Sequence, residues 1–202
     1  PTRADAHRWL AEESTRRASA AGPLLADYLE GWLARQHHLR PSTHLSYAGH
    51  VRRHLAPALG TIGVAEVTRS DMEDAYADLR DQGMSPALLR RVHATLSAAL
   101  SAADRDGLIA TNPVVGVKLP SPAPFTATVW TASQAATFLD ATSEDAWAVL
   151  WRMALLTGLR RGELLGLRWS DVDLDGGTLT VRHTLTAVAR QVVSGPPKSR
   201  RG

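Results

Sequence analysis

The sequence predicts a mainly α-helical chain with a small β-sheet towards its C-terminal end. Three observations carry that expectation. Apolar residues recur at helical spacing from Pro23 to Arg105. A Pro-rich polar stretch, KLPSPAPFTAT from Lys118 to Thr128, reads as an interdomain linker. Beyond Asp171, in DVDLDGGTLTVRHT, the pattern changes from helical spacing to alternation. The expected organisation is a helix over 1–19, a four-helix domain over 20–118, a linker over 119–127 and an α+β domain over 128–202.

The elements follow in order. PTRADAHRWLAEESTRRA spaces Ala6, Trp9 and Leu10 as one helical face, and SAAG after it reads as a linker. PLLADYLEGWLARQHH is the first helix of the four, with Leu25, Leu29, Trp32 and Leu33 on its apolar side. STHLSYAGHVRRHLAPALG is the second, with Ser42 as the expected N-cap and Leu45, Ala48, Val51 and Leu55 as its stripe. TRSDMEDAYADLRDQG is the third, capped by Thr68 or Ser70, with acids in its first turn. The fourth runs from Ser85 to Asp106 over Leu89, Val92, Leu96, Ala99 and Ala103 and stops at Gly107. In the second domain, Thr131 caps WTASQAATFLDA. SEDAWAVLWRMALLTG is apolar nearly all round and is expected to be buried. GELLGLRW is a short helix, Asp175-Gly176 a turn, and the tail over 182–202 a basic hairpin.

Composition excludes several chemistries. The 202 residues contain no cysteine, which removes disulfide scaffolds, thiolate metal sites and a Cys nucleophile. The eight histidines lack a matching carboxylate cluster, so neither metal nor cofactor is expected. The sequence shows neither a secretory signal nor a membrane-length apolar run, and the expected setting is the cytoplasm. The tryptophans fall at apolar helical positions and read as core.

Charge is segregated rather than abundant. Residues 23–118 hold ten basic and ten acidic side chains. Residues 40–58 contain Arg40, Arg52, Arg53, His44, His50 and His54 without an acid. Residues 82–103 contain Arg90, Arg91 and His93, again without an acid, while the third helix is acidic. Helical spacing puts Thr43, Ser46, His50 and Arg53 on one face of the second helix, with Tyr47 beside them. It puts Arg90, His93 and Ser97 on one face of the fourth, next to Arg91. Two basic, hydroxyl-bearing faces suit a protein that grips the phosphates of double-stranded DNA. A solvated surface is the alternative. The tail adds Arg182, Arg190, Lys198, Arg200 and Arg201 without an acid.

LLTGLRRGELLGLRWSDVDLDGGTLTV, from Leu155 to Val181, is the most informative stretch. A helix ends at Gly158, another begins near Gly162, and Arg160 and Arg161 stand in the turn. A planar guanidinium on such a rigid base suits bidentate capture of a phosphate. Glu163 is placed to orient it; a purely structural Arg–Glu pair is the other reading. Arg161 replaces Arg160 if the turn is shifted by one residue.

TGLRRGELLGLRWSDVDL resembles the first catalytic box of the tyrosine recombinases, or phage integrases. GPPKS resembles their lysine-bearing hairpin. STHLSYAGHVRRHLAPALG, TRSDMEDAY and LIATNPV resemble the SAM-like, four-helix core-binding domain of the integrase branch, and residues 1–19 the terminal helix of an arm-binding domain. The resemblance implies that 128–202 is the N-terminal α+β part of a catalytic domain. It implies Arg160 as the ligand of the scissile phosphate, Glu163 as the supporting acid and Lys198 as the catalytic lysine. It further implies a site-specific recombinase that breaks and rejoins DNA through a 3′-phosphotyrosine, works as a homo-tetramer on paired sites, and needs no metal or nucleotide.

The family's His-x-x-Arg box and nucleophilic tyrosine, which follow the hairpin, have no match within these residues. HVRR, from His50 to Arg53, has the letters but precedes Arg160. Tyr28, Tyr47 and Tyr76 lie in the N-terminal helices. The chain by itself is therefore expected to be inactive. The competing classes are a non-enzymatic helical DNA-binding regulator and a helical module that meets an acidic protein.

Overall fold

The computed structural model describes residues 22–197. The expected helix over 1–19 and Lys198, Arg200 and Arg201 lie outside the described residues. The chain parts into two compact units between Pro124 and Phe125.

In the first unit, α1 (Leu25–Ala34) sends Leu25, Tyr28, Leu29, Trp32 and Leu33 inward. Its start is held by backbone pairing: Leu25 N–H donates to Ile62 O at 2.8 Å and Val64 N–H to Pro23 O at 2.9 Å. The second helix, α2 (Pro41–His50), begins two residues earlier than Ser42 capping requires, with Arg40 at the N-cap position. Pro41 explains this: it has no N–H to leave unpaired, and its fixed φ suits the first helical position. Leu45 is also not part of the stripe; it is half exposed, whereas Ala48, Val51 and Leu55 are buried.

The expected single helix is then interrupted. Val51–Leu55 form one π-helical turn before α3 (Ala56–Leu59). Val51 and Leu55 both face the core, as an i, i+4 pair does in an α-helix too, and the wider turn shifts every later side chain off the helical period. Helix α4 (Arg69–Asp81) opens with a capping box. Thr68 Oγ1 accepts from Asp71 N–H, and Asp71 Oδ2 accepts from Thr68 N–H at 2.8 Å. Helix α5 (Pro86–Arg105) is capped by Ser85 and buries Leu89, Val92, Leu96, Ala99, Leu100 and Ala103. Tyr28 hydroxyl ties α1 to it by donating to Ala99 O at 2.9 Å. Asn112 closes the unit. Its amide donates to Ser97 O at 3.1 Å and Ser101 Oγ at 2.8 Å, and its Oδ1 accepts from Val114 N–H at 3.0 Å.

The second unit has α6 (Ala132–Ala141), with a Thr131–Gln134 capping box, and α7 (Ala148–Thr157). Phe138 of α6 sits between Trp130 and Trp151, with ring centroids 5.1 and 6.2 Å away. Gly158 ends α7 in the left-handed region at φ 66°, where glycine meets no Cβ penalty. Then come α8 (Arg161–Leu165), a 3-10 turn (Trp169–Asp171), β1 (Val172–Asp173), β2 (Thr178–Leu179), β3 (Thr184–Val188) and β4 (Gln191–Gly195). The strands form two separate antiparallel pairs, β1 with β2 and β3 with β4.

Two burial expectations are corrected here. Helix α7 is not buried: none of its residues reaches the interior, and Val149 and Leu156 are each 75% exposed. Among the described residues its packing partners are α6 and α8, which leave the rest of its apolar circumference uncovered. Nor are the tryptophans uniformly core. Trp32 is buried, but Trp130, Trp147 and Trp169 are exposed.

Candidate DNA interface and phosphate-binding turn

The basic residues of α2, the π turn and α5 do converge, but not as two open faces. His50 Nδ1 lies 2.8 Å from Thr95 Oγ1 on α5, whose hydroxyl itself donates to Arg91 O at 3.1 Å. The hydroxyl proton is thus committed, and His50 Nδ1–H is the donor of the shared bond. Burial, and then the positive charges of His54 and Arg91, hold the His50 pKa below its ordinary value. His54 from the π turn and Arg91 from α5 both act electrostatically on this half-buried imidazole, and His54 is a candidate that residue-by-residue face assignment missed. Its signal was the acid-free segment over 40–58, but its orientation depends on the π turn.

Thr43 is half-buried. Ser46 is exposed and donates its hydroxyl to Ser42 O at 3.0 Å. Tyr47 is a packing residue in part, stacked on Trp32 with centroids 5.8 Å apart. Arg53 is exposed. Arg52, its neighbour in an acid-free segment, is not free of acid in space. Its Nε and Nη2 donate to the two carboxylate oxygens of Glu30 on α1 at 2.8 and 3.1 Å.

The second predicted face, Arg90–His93–Ser97, is corrected most. The Arg90 and His93 side chains are engaged from inside the unit, and of Ser97 the backbone carbonyl is. Arg90 Nε donates to Pro120 O at 3.1 Å and Nη2 reaches Leu119 O at 3.5 Å. His93 Nδ1 shares a 3.1 Å hydrogen bond with the Tyr76 hydroxyl, and burial, then Arg90, lowers its pKa. Ser97 O is taken by Asn112. This face of α5 meets α4 and the segment leading into the linker. Arg90 and Arg91 are both exposed, and of the two Arg90 is held by the Leu119 and Pro120 carbonyls.

In the second unit, Arg160 is the N-cap position of α8, with extended backbone. Its N–H donates to Glu163 Oε2 at 3.0 Å and its Nη1 to Glu163 Oε1 at 2.9 Å. One carboxylate thereby closes the helix start and grips the guanidinium. The Arg160 backbone N–H, then its side chain, hold the Glu163 pKa below the usual carboxylate range. The Arg160 side chain remains 74% exposed, while that of Glu163 is 12% exposed. A guanidinium fixed at its base and open at its tip can accept an oxyanion without first being freed from a buried pair. Arg161 is the first residue of α8 and also exposed. Arg182 Nη1 donates to Asp171 Oδ1 at 2.9 Å and to Ser170 O at 3.2 Å. Its partner Asp171 is 5% exposed. Among the described residues there is no group of three or more His, Asp or Glu that suits a metal ion, and no helix is long and apolar enough to cross a membrane.

A comparison with known family profiles finds no match. Individual proteins do match. The chain is 27% identical over 213 residues to the integrase of Mycobacterium phage D29, covering 98% of this chain and 56% of that protein. It is 27% identical over 175 residues to a XerC-like tyrosine recombinase of Caldanaerobacter subterraneus, covering 81% of this chain and 44% of the relative. The chain thus spans about half the length of the curated relatives it matches. In fold it is similar to the Tn1549 transposon integrase, solved in complex with circular intermediate DNA. The TM-score is 0.74 at 21% identity, over 87% of this chain and 59% of that one. By sequence the chain is similar to tyrosine recombinases and integrases, and in fold to the Tn1549 integrase.

Proposed function

We propose that this chain is the DNA-binding and phosphate-activating portion of a site-specific tyrosine recombinase. The observation that carries the reading is the Arg160–Glu163 arrangement: an exposed guanidinium clamped at the start of α8. The similarity to integrases over nearly the whole chain supports it.

In this reading the first unit holds double-stranded DNA with Arg53, His54 and Arg91 on phosphates, and Thr43, Ser46 and His50 at the same surface. Arg160 neutralises the charge that builds on the non-bridging oxygens of the scissile phosphate. A tyrosine hydroxyl of the whole protein attacks phosphorus and gives up its proton. The bond to the 5′-oxygen breaks, and that oxygen takes a proton from Lys198. The 3′-phosphotyrosine conserves the energy of the broken ester, so rejoining needs no nucleotide. Exchange between two duplexes requires four such subunits, a homo-tetramer on paired sites. The 202-residue chain alone is inactive in this reading, because none of its tyrosines stands in the catalytic unit.

The test is a nicked suicide DNA substrate. The full-length protein forms a covalent adduct, and Arg160→Ala abolishes it, a loss of about 3–4 kcal/mol in transition-state stabilisation. Lys198→Ala slows cleavage and is rescued on a bridging 5′-phosphorothiolate, whose leaving group needs no proton. Equal impairment on both substrates sinks the general-acid role. DNA binding by the full-length protein without any adduct leaves the non-enzymatic regulator as the better reading.

A further inference from the structure

Hairpin β3–β4 lies directly on α8, and two glycines make this possible. A Cβ at Gly162 would stand 2.6 Å from Thr184 Oγ1 and 2.7 Å from Leu185 O. A Cβ at Gly166 would stand 2.7 Å from His183 O, 2.9 Å from His183 C and 3.0 Å from Thr184 Cα. These separations are shorter than any carbon side chain tolerates. Gly162 and Gly166 are four residues apart on a helix and so share one face. Neither has a positive φ, so the need for glycine is one of space. The residue before this contact is pinned as well, by the Arg182–Asp171 ion pair. Residues 183–185 are therefore laid along α8, whose N-cap is Arg160, and Arg182 just before them is tied to the 3-10 turn.

We propose that Gly162 and Gly166 are positioning residues, which seat the β3–β4 hairpin on the Arg160 helix and so set its basic arm relative to the phosphate-binding arginine. The inference rests on the recombinase reading in taking Lys198, three residues past Gly195 in the chain, as the group the hairpin delivers. Gly166 is the stricter position. Its added carbon meets backbone on the hairpin, which can yield only if the strand lifts. At Gly162 one of the two obstacles is a Thr184 hydroxyl.

A double-mutant cycle in the full-length protein tests this, with single-turnover cleavage of the nicked substrate as readout. Gly166→Ala should cleave about 10- to 100-fold slower, the scale of a misplacement near 1 Å. Gly162→Ala should lose less, and adding Thr184→Ala should restore part of that loss. In a Lys198→Ala background, Gly166→Ala should cost nothing further, because the seat matters through the lysine. The same loss in both backgrounds, or wild-type cleavage by Gly166→Ala, overturns the proposal. Should Gly166→Ala fail to fold, the Gly162→Ala cycle decides by the same criteria. Should Lys198→Ala cleave like wild type, the role given to the lysine fails, and hydrogen exchange then judges the seat. Faster exchange confined to residues 184–195 in Gly166→Ala supports it, and unchanged exchange overturns it.

Discussion

His50 Nδ1 and Thr95 Oγ1 stand 2.8 Å apart, joining the end of α2 to the middle of α5. A residue that spacing alone assigns to a DNA-facing surface is therefore also an interhelical tie. His93 plays the matching part with Tyr76.

Both imidazoles have pKa values below the ordinary 6.5. Between the folded and unfolded values, the unfolded chain binds more protons. Stability is thus fully present above the unfolded value and is lost as pH falls through that window. The midpoint of thermal unfolding of the first unit should drop as pH falls through and below the ordinary value of 6.5. His50→Gln and His93→Gln should each flatten the dependence. A slope that survives both replacements would show that other groups carry it.

Arg91 and Arg90, adjacent in sequence, should behave differently. DNA binding by the 202-residue chain should fall steeply with salt, with a log–log slope of about −4 to −5 if about five phosphates are met. Arg91→Ala should weaken binding, reduce that slope by about 1 and leave the melting temperature alone. Arg53→Ala should do likewise. Arg90→Ala removes bonds to Leu119 and Pro120 carbonyls. Its larger effect should be faster hydrogen exchange in the segment after Lys118. Equal binding losses for Arg90→Ala and Arg91→Ala would restore the open face that the sequence predicts.

Asn112 serves three partners from a position that is 9% exposed. Asn112→Ala leaves Ser97 O, Ser101 Oγ and Val114 N–H without it, so urea unfolding should show a loss of about 1–3 kcal/mol. A change below about 0.5 kcal/mol, the size of an ordinary surface substitution, would mean that water replaces the side chain without cost.

The β3–β4 turn uses Ala189 and Arg190 at φ 48° and 67°. Both values belong to the left-handed region, which a two-residue hairpin turn of this hand requires and which glycine and asparagine occupy best. The pair Ala189→Asn with Arg190→Gly should stabilise the hairpin by about 1 kcal/mol, seen as slower amide exchange across Thr184–Gly195. Faster exchange would show that the Arg190 side chain makes up for the strain.

Local rules determined a large part of the molecule. Thr68, Ser85 and Thr131 cap their helices because a side-chain oxygen within reach of an N–H needs no distant partner. The stripes of α1 and α5 face inward because one period satisfies every turn of the helix. Gly158 breaks the chain for a similarly local reason, and the Arg160–Glu163 pair spans three residues, so the geometry of this turn was legible before any fold was known. Tertiary structure decided what depends on neighbours. The π turn at Val51–Leu55 shifts Arg53 and His54 off the α-helical period, Glu30 removes Arg52 from the free charge, and Tyr76 and the 119–120 carbonyls tie down His93 and Arg90 on the face of α5 that spacing left open. Helix α7 is the converse case: its residues are apolar on all sides, but burial is a property of the elements around a helix, and among the described residues its main neighbours are α6 and α8.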